Sequence, residues 1–517
     1  MKPTRSLMLA ALALSAAPAA GHAQADTARA NWHLLDPTND RVPGISAERA
    51  HRELLSGMRV RDTVVVAIID SGVEIDHPDL AGVIWTNADE VPGNGRDDDN
   101  NGYVDDVHGW DFLGNRDGRD ISSDTYEITR LFAACRAPGA TEAGGTPCAE
   151  IRSEFQEQQG SLREEYDALQ TFSTMINTLR QALQGREITA ESLRGLQSTD
   201  PQVVAARNQI GRIMGAGYSA EQILEAFEDV KKRVETGFNP DFDPRPLVGD
   251  NYANLNERGD GNNEVEGPDA SHGTHVAGIV AAMRNGTGVD GVANAVRIMP
   301  IRVVPDGDER DKDVANGIRY AVDNGARVIN MSFGKSHSPY KSAVDDAVRY
   351  AESKGVLLVH AAGNDGANLN EEGNFPNQDF AGGGRAGNWI EVGASSWNGL
   401  EHLAASFSNY GRGRVDIFAP GDDILSTLTD HEYGRLGGTS MAAPVVAGVA
   451  ATLLSYFPEL TATQLREIIL ASATRYTDQR VTRPGGEEIT TFGELSDTGG
   501  IVNLYSAVQM AQQRARR

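Results

Sequence analysis

Three short segments carry residue types that together could break an amide bond: Asp70-Ser71-Gly72-Val73, His272-Gly273-Thr274-His275-Val276-Ala277-Gly278 and Gly438-Thr439-Ser440-Met441-Ala442-Ala443-Pro444. Acyl transfer from an amide needs a nucleophile, a base to take its proton and a carboxylate to orient that base. A free serine is a poor nucleophile at neutral pH, so its placement must activate it. Ser440 reads as lying at a helix N-terminus, where the local dipole helps and its own N–H can reach the reacting carbonyl. His272 would accept the Ser440 proton and return it to the leaving amine, while Asp70 would hold the imidazole tautomer. Taken singly, the segments read as a turn, a helix start and a cap. Their joint order, Asp then His then Ser, is a known order for such triads. His275, one helical turn after His272, is read as a packed helix residue rather than the base.

The elements that must position these groups follow from hydrophobic patterning. Val64 to Ile69 is a continuous β-branched run that stops at Asp70, as a buried parallel strand does. Similar runs occupy 296–303, 328–332 and 356–360, with shorter ones at 390–393 and 415–418. Lys312 to Asn324 and Tyr340 to Lys354 carry apolar residues at helical spacing, with Gly325 and Gly355 as stops. The alternation predicts an α/β fold, a mostly parallel sheet covered on both faces, with its site beyond the carboxyl ends of the strands.

From about Glu150 to Phe238 the rhythm changes: Ile151, Phe155, Leu162, Tyr166, Leu169, Phe172, Ile176, Leu179 and Leu183 repeat mostly at three or four residues, as in a long amphipathic helix. Asp200-Pro201 and Ser219-Ala220-Glu221-Gln222 read as two further helix starts. The organisation expected is a signal peptide over 1–25, a first part of the catalytic domain over 26–117, a mostly helical insertion over 118–245 and the second part over 246–517. The insertion is read as gating the cleft or docking a partner. Cys135 and Cys148 are the two cysteines; a local disulfide, two free thiols and intermolecular bridges all remain open.

Acidic spacing suggests a metal. Asp97-Asp98-Asp99-Asn100-Asn101-Gly102-Tyr103-Val104-Asp105 places oxygen donors at alternate positions before a glycine turn, as in the first half of an EF-hand loop. Asp97, Asp99, Asn101, Tyr103 and Asp105 are therefore candidate Ca2+ ligands, although His108 stands where the closing glutamate belongs.

The three segments resemble those of the subtilisin-like serine peptidases, over about 31–113 and 249–511. That resemblance implies a seven-stranded, mainly parallel sheet and endoproteolysis of a fairly unselective kind. Ala361-Ala362-Gly363-Asn364-Asp365-Gly366 is similar to the family segment that supplies the oxyanion-hole side chain, which makes Asn364 the donor and Gly363 a substrate contact. Ser332-Phe333-Gly334 resembles the strand that hydrogen-bonds an extended substrate. His77-Pro78-Asp79-Leu80 and Asn285-Gly286-Thr287-Gly288 resemble the family's high-affinity calcium site, with Asp79 and Asn285 as side-chain ligands. This chain departs from the pattern in the long interval between Asp70 and His272. The stretch before the first strand is also too short for the compact chaperone domain that such proteases carry.

Composition narrows the classes further. The chain has 517 residues, is 40% hydrophobic and carries a formal net charge of -26, which disfavours nucleic acid as a partner. Lys2 and Arg5 precede an apolar run from Leu7 to Ala20, and Ala23-Gln24-Ala25 forms a small-x-small cleavage site. Export to the periplasm or beyond is expected, with polypeptides as substrates and no membrane anchor in the mature form. Two rival functions use the same residues: a peptide ligase or transamidase on this scaffold, and a calcium-binding interaction module with little turnover.

Overall fold

Val64–Asp70 forms a strand, β1, because its β-branched side chains fill both faces of a sheet: Val64, Val66 and Ile68 enter one apolar cluster while Ala67 and Ile69 enter the other. The computed structural model describes residues 28–516, so the export segment read over 1–25 lies outside the described residues. These residues form two compact units. One is Ser123–Asp243; the other joins the stretch ending at Ser122 to that beginning at Pro244.

The second unit holds the sheet. Its further strands are β2 (Trp110–Asp111), β3 (Val296–Arg302), β4 (Val328–Met331), β5 (Leu357–Ala361), β6 (Trp389–Ser395), β7 (Ile417–Pro420), β8 (Thr474–Arg475) and β9 (Gly500–Ile501). Their spatial order is β8-β9-β7-β6-β5-β4-β1-β3-β2, and every pairing is parallel except β8 with β9. Six of the strands are the runs read from the sequence. β2, β8 and β9 are two residues long and have no periodicity to detect, so the sheet counts nine strands where the resemblance implied seven.

Four helices matter for the site. α1 (Ser271–Ala281) and α4 (Thr439–Tyr456) pack into the cluster on one face of the sheet, and α2 (Asp311–Asp323) and α3 (Lys341–Ser353) into that on the other. Gly325 and Gly355, at φ +84° and +75°, end α2 and α3 in the left-handed conformation that glycine adopts without strain. α4 is long and apolar enough to cross a membrane, yet it lies buried within this unit. A helix apolar on all sides has no solvent face to offer.

The stretch before β1 is also part of the core. Trp32, Leu34, Ile45 and Ala47 are buried in the same cluster as α4. Trp32 Nε1 donates to the Asp422 carbonyl at 3.1 Å, and Asn503 Nδ2 donates to Ser46 Oγ at 3.0 Å.

The first unit has its own apolar cluster, built on a 35-residue helix, Cys148–Ala182. Helices Glu127–Ala134, Ala190–Gly195, Pro201–Gly215 and Ala220–Lys232 add to it. Asp200 caps the former through the Gln202 N–H, and Ser219 and Gln222 form a reciprocal capping box on the latter. Cys135 and Cys148 are joined by a disulfide, with Cα atoms 5.5 Å apart.

Candidate active site

Asp70 ends β1, and two glycines let α1 reach it. Gly72 has φ +120°, and a Cβ there would stand 2.2 Å from the Glu266 carbonyl oxygen; one at Gly273 would stand 2.0 Å from the Gly72 carbonyl oxygen. This contact between strand end and helix start sets His272 Nδ1 at 2.7 Å from Asp70 Oδ1. The Ser71 N–H also donates to Oδ1, at 2.8 Å, which fixes the carboxylate. With Nδ1–H held by Asp70, Nε2 keeps its lone pair. Burial works against the imidazolium, but the attraction of Asp70 outweighs it and raises the His272 pKa above that of free imidazole. Asp70 is 1% exposed, whereas the His272 side chain is 39% exposed and open to a substrate.

His275 plays a different part. Its Nε2–H is shared between the carbonyls of Ile424 and Gly434 at 3.0 and 3.1 Å, and burial pushes its pKa down to about 4. It ties α1 to the neighbouring hairpin.

Ser440 lies in the first turn of α4, where backbone N–H groups have no intrahelical acceptor. Pro444, one turn on, has no N–H to offer the Ser440 carbonyl. Ser332 Oγ supplies that bond instead, at 2.8 Å, and Ser440 Oγ donates back to the Ser332 carbonyl at 3.1 Å. The proline therefore couples the serine helix to the end of β4. Among the described residues no hydrogen bond joins Ser440 Oγ to His272. Ser440 is tied to Ser332, just past β4, whose Met331 pairs with Ile69 of β1; His272 is tied to Asp70 at the end of β1.

Asn364 is held by its oxygen. Oδ1 accepts from Thr439 N at 2.8 Å and Thr439 Oγ1 at 3.0 Å, while the Gly363 N–H donates to Thr439 Oγ1 at 3.0 Å. Its Nδ2 is left as a donor. A Cβ on Gly438 would stand 3.4 Å from Asn364 Nδ2 and 3.6 Å from Ser440 N, so glycine keeps the space between these two donors open. Phe333 turns its ring edge toward His360, and Gly334 lies against Asn374.

One residue of this site was not read from the sequence. Arg302, level with Asp70 in the sheet and 2% exposed, donates to the Ser71 carbonyl at 3.1 Å, to Asp111 Oδ2 at 2.8 Å and to the Ile121 carbonyl at 2.5 Å. It braces the turn that follows Asp70. An arginine inside an apolar run was its one sequence signal.

A family model described as the Subtilase family matches residues 61–487. The chain belongs to the subtilase family. This subtilase is 39% identical over 229 residues to the "Thermophilic serine proteinase" of Bacillus sp. (strain AK1), covering 43% of this chain and 51% of that protein. It is 40% identical over 205 residues to "Subtilisin BL" of Lederbergia lenta, covering 39% of this chain and 70% of the relative. The chain thus spans about half the length of the first relative. Among solved structures, a cold-adapted subtilisin-like serine proteinase matches at 32% identity with a TM-score of 0.37, over 48% of this chain and 78% of that one.

The acidic loop of this subtilase gathers a different set of oxygens from the alternating one. Carboxylate oxygens of Glu90, Asp99 and Asp106 lie within 4.8 Å of one another. Asp97 instead accepts the N–H groups of Asn101 and Gly102, and Asp105 those of Asn94 and Gly95. Asn101 Oδ1 accepts the Tyr103 N–H, and the Tyr103 ring packs edge-on against Trp110, Phe112 and Tyr320. Of the five expected ligands, Asp99 has its carboxylate in this converging group. Glu90 is 6% exposed, and its Oε2 has no hydrogen-bond partner among the described residues. Burial, opposed by hydrogen bonds from Tyr320, Asn101 and Asn87, holds Asp106 up to about 6. Three facing carboxylates with a buried, unpartnered oxygen suit a hard divalent cation. Elsewhere, Asp79 Oδ2 accepts the Val289 N–H at 2.9 Å, and Asn285 Oδ1 accepts the N–H and hydroxyl of Thr287.

Proposed function

We propose that this subtilase is an exported serine endopeptidase that hydrolyses polypeptides through an acyl-enzyme. The observation that carries the reading is the 2.7 Å contact between Asp70 and His272 Nδ1, which leaves Nε2 as a base at the strand end that α4 and Ser440 also reach. Family membership supports it independently.

In the first step, rotation of the Ser440 side chain breaks its bond to the Ser332 carbonyl and presents Oγ–H to His272 Nε2. Oγ attacks the scissile carbonyl as the proton moves to Nε2. The oxyanion forms between Asn364 Nδ2 and the Ser440 N–H, in the space that Gly438 keeps clear. Imidazolium, stabilised by Asp70, then protonates the departing amine. Water repeats the cycle in reverse and releases the acid. Ser332, Phe333, Gly334 and Gly363 offer backbone groups to an extended substrate. A fluorophosphonate should label the enzyme once, and peptide mass mapping should place the adduct on Ser440; an adduct elsewhere contradicts the assignment.

The raised His272 pKa has a measurable consequence. Only neutral imidazole accepts the proton, so activity falls as pH drops through the His272 pKa. Because Asp70 raises that value, the acid limb of kcat/KM should lie above the ~6.5 of free imidazole. A limb centred well below it, read from a pH–rate profile, argues against the pairing.

Ca2+ fits the second site as a structural cofactor. Glu90, Asp99 and Asp106 would hold it, and its role would be to neutralise their mutual repulsion without entering the reaction. A ligand that binds only the folded state stabilises it by mass action. EDTA should therefore lower the melting temperature by several degrees before peptide turnover changes, and Glu90→Gln should remove most of that sensitivity. Equal melting of the unaltered enzyme with and without EDTA would count against a bound cation.

A further inference from the structure

Four residues past Asp70 stands a carboxylate that the triad does not use. Glu74 is 5% exposed, and its oxygens accept two backbone N–H groups, that of Asp430 at 2.9 Å and that of His431 at 3.3 Å. Its ion-pair partner is the His431 ring, with Nδ1 standing 3.6 Å from Oε1. A buried carboxylate calls for a counter-charge. Here the surroundings supply more acid. Carboxylate oxygens of Glu74 and Asp76 and a ring nitrogen of His431 lie within 4.8 Å of one another. Burial, then the charges of Glu74, Glu264, Asp76 and Asp430, push the nearby Glu266 carboxyl above its ordinary range.

The backbone carries the imidazole to this place. A hairpin with strands Ile424–Thr427 and Tyr433–Leu436 turns through Asp430 and His431, at φ +61° and +59°, and the Glu432 N–H donates to the Thr429 carbonyl at 3.3 Å. A turn with two left-handed centres favours Asn-Gly. Asp-His there is strained, and Glu74 holds it through the two N–H groups. The His431 ring also meets that of His77 edge-on, with centroids 6.1 Å apart. His77 is itself fixed: Nε2–H donates to the Glu432 carbonyl at 3.2 Å, and Nδ1 accepts the Asp79 N–H at 3.1 Å. The turn adjoins the helix of the base, since Thr429 Oγ1 lies 3.1 Å from Ser271 Oγ, one residue before His272.

We propose that Glu74, Asp76 and His431 bind a divalent transition-metal ion of the Zn2+ class, which pins the hairpin turn to the segment that follows Asp70. One imidazole nitrogen and two carboxylate oxygens form a borderline donor set, suited to Zn2+ rather than to Ca2+, whose ligands are oxygens. The imidazole separates this site from Glu90, Asp99 and Asp106, which offer oxygen alone. Asp76 and His431 are exposed, so the ion enters from solvent and keeps water in its remaining position. Bound there, it compensates the buried Glu74 charge. It also adds a second link, beside the Thr429–Ser271 contact, between the hairpin and the elements that carry Asp70 and His272.

The test is calorimetric titration of the full chain with Zn2+, in excess Ca2+ so that the oxygen-only group is filled. His431→Gly and Asp76→Asn should each weaken the Zn2+ that this site holds by at least about tenfold, a loss that even an outer-shell partner of a metal can bring. Glycine suits the left-handed turn, so His431→Gly should melt no lower than the unaltered chain when zinc is absent. Added Zn2+ should raise the melting temperature of the unaltered chain and leave that of His431→Gly where it was. An ion held instead at His272, or at Glu90, would keep its affinity in both variants. No Zn2+ binding, or binding of unchanged strength in either variant, overturns the proposal. The readout is binding, so the outcome stands apart from whether the chain cleaves peptides.

Discussion

Ser440→Ala is expected to lower kcat by about 10⁶-fold, the loss seen when the nucleophile is removed from the triad of subtilisin. The residual rate should still exceed that of water, because Asn364 Nδ2 and the Ser440 N–H remain to hold the oxyanion. The fold should be untouched. Oγ makes one bond, to the Ser332 carbonyl, while the Ser440 carbonyl keeps its bond from Ser332 Oγ. Single-turnover kinetics with an unmodified melting curve is the check; a loss below about a hundredfold would mean another group performs the attack.

The second large effect concerns stability. Arg302→Met should cost about 3–5 kcal/mol, because it leaves the fully buried Asp111 carboxyl and the Ser71 and Ile121 carbonyls without their shared donor. It also frees the Ser71 carbonyl, so kcat should drop as the turn after Asp70 loosens. Pairing the change with Asp111→Asn should recover only part of the stability: an amide can still accept from the Leu113 N–H, but the Ser71 and Ile121 carbonyls stay without the Arg302 donor. Urea unfolding of the two variants decides the matter. A single variant within about 1 kcal/mol of the unaltered enzyme would show that the buried pair contributes nothing net.

Much of the architecture was legible in the chain because short-range regularities report it. Six strands show as β-branched runs, and α2 and α3 show as helical spacing ended by Gly325 and Gly355. The three two-residue strands are invisible for the opposite reason: they exist only where a neighbour supplies hydrogen bonds. The cation loop shows where local reasoning stops. Alternating acids mark the region, yet which carboxylates converge depends on backbone turns and on Glu90, which lies outside the repeat.

The chemical candidates Asp70, His272 and Ser440 could be named from the order of residues, because nucleophile, base and carboxylate must be particular types in particular local settings; Asn364 came only from the resemblance of its segment to a family motif. The core could be named the same way, through side chains whose burial follows from their periodicity. Which groups meet is settled by packing in three dimensions: the arginine that braces the turn after Asp70 and the carboxylates that converge. Each of these contacts depends on how backbone turns and packed elements abut. No pattern within a short window encodes that.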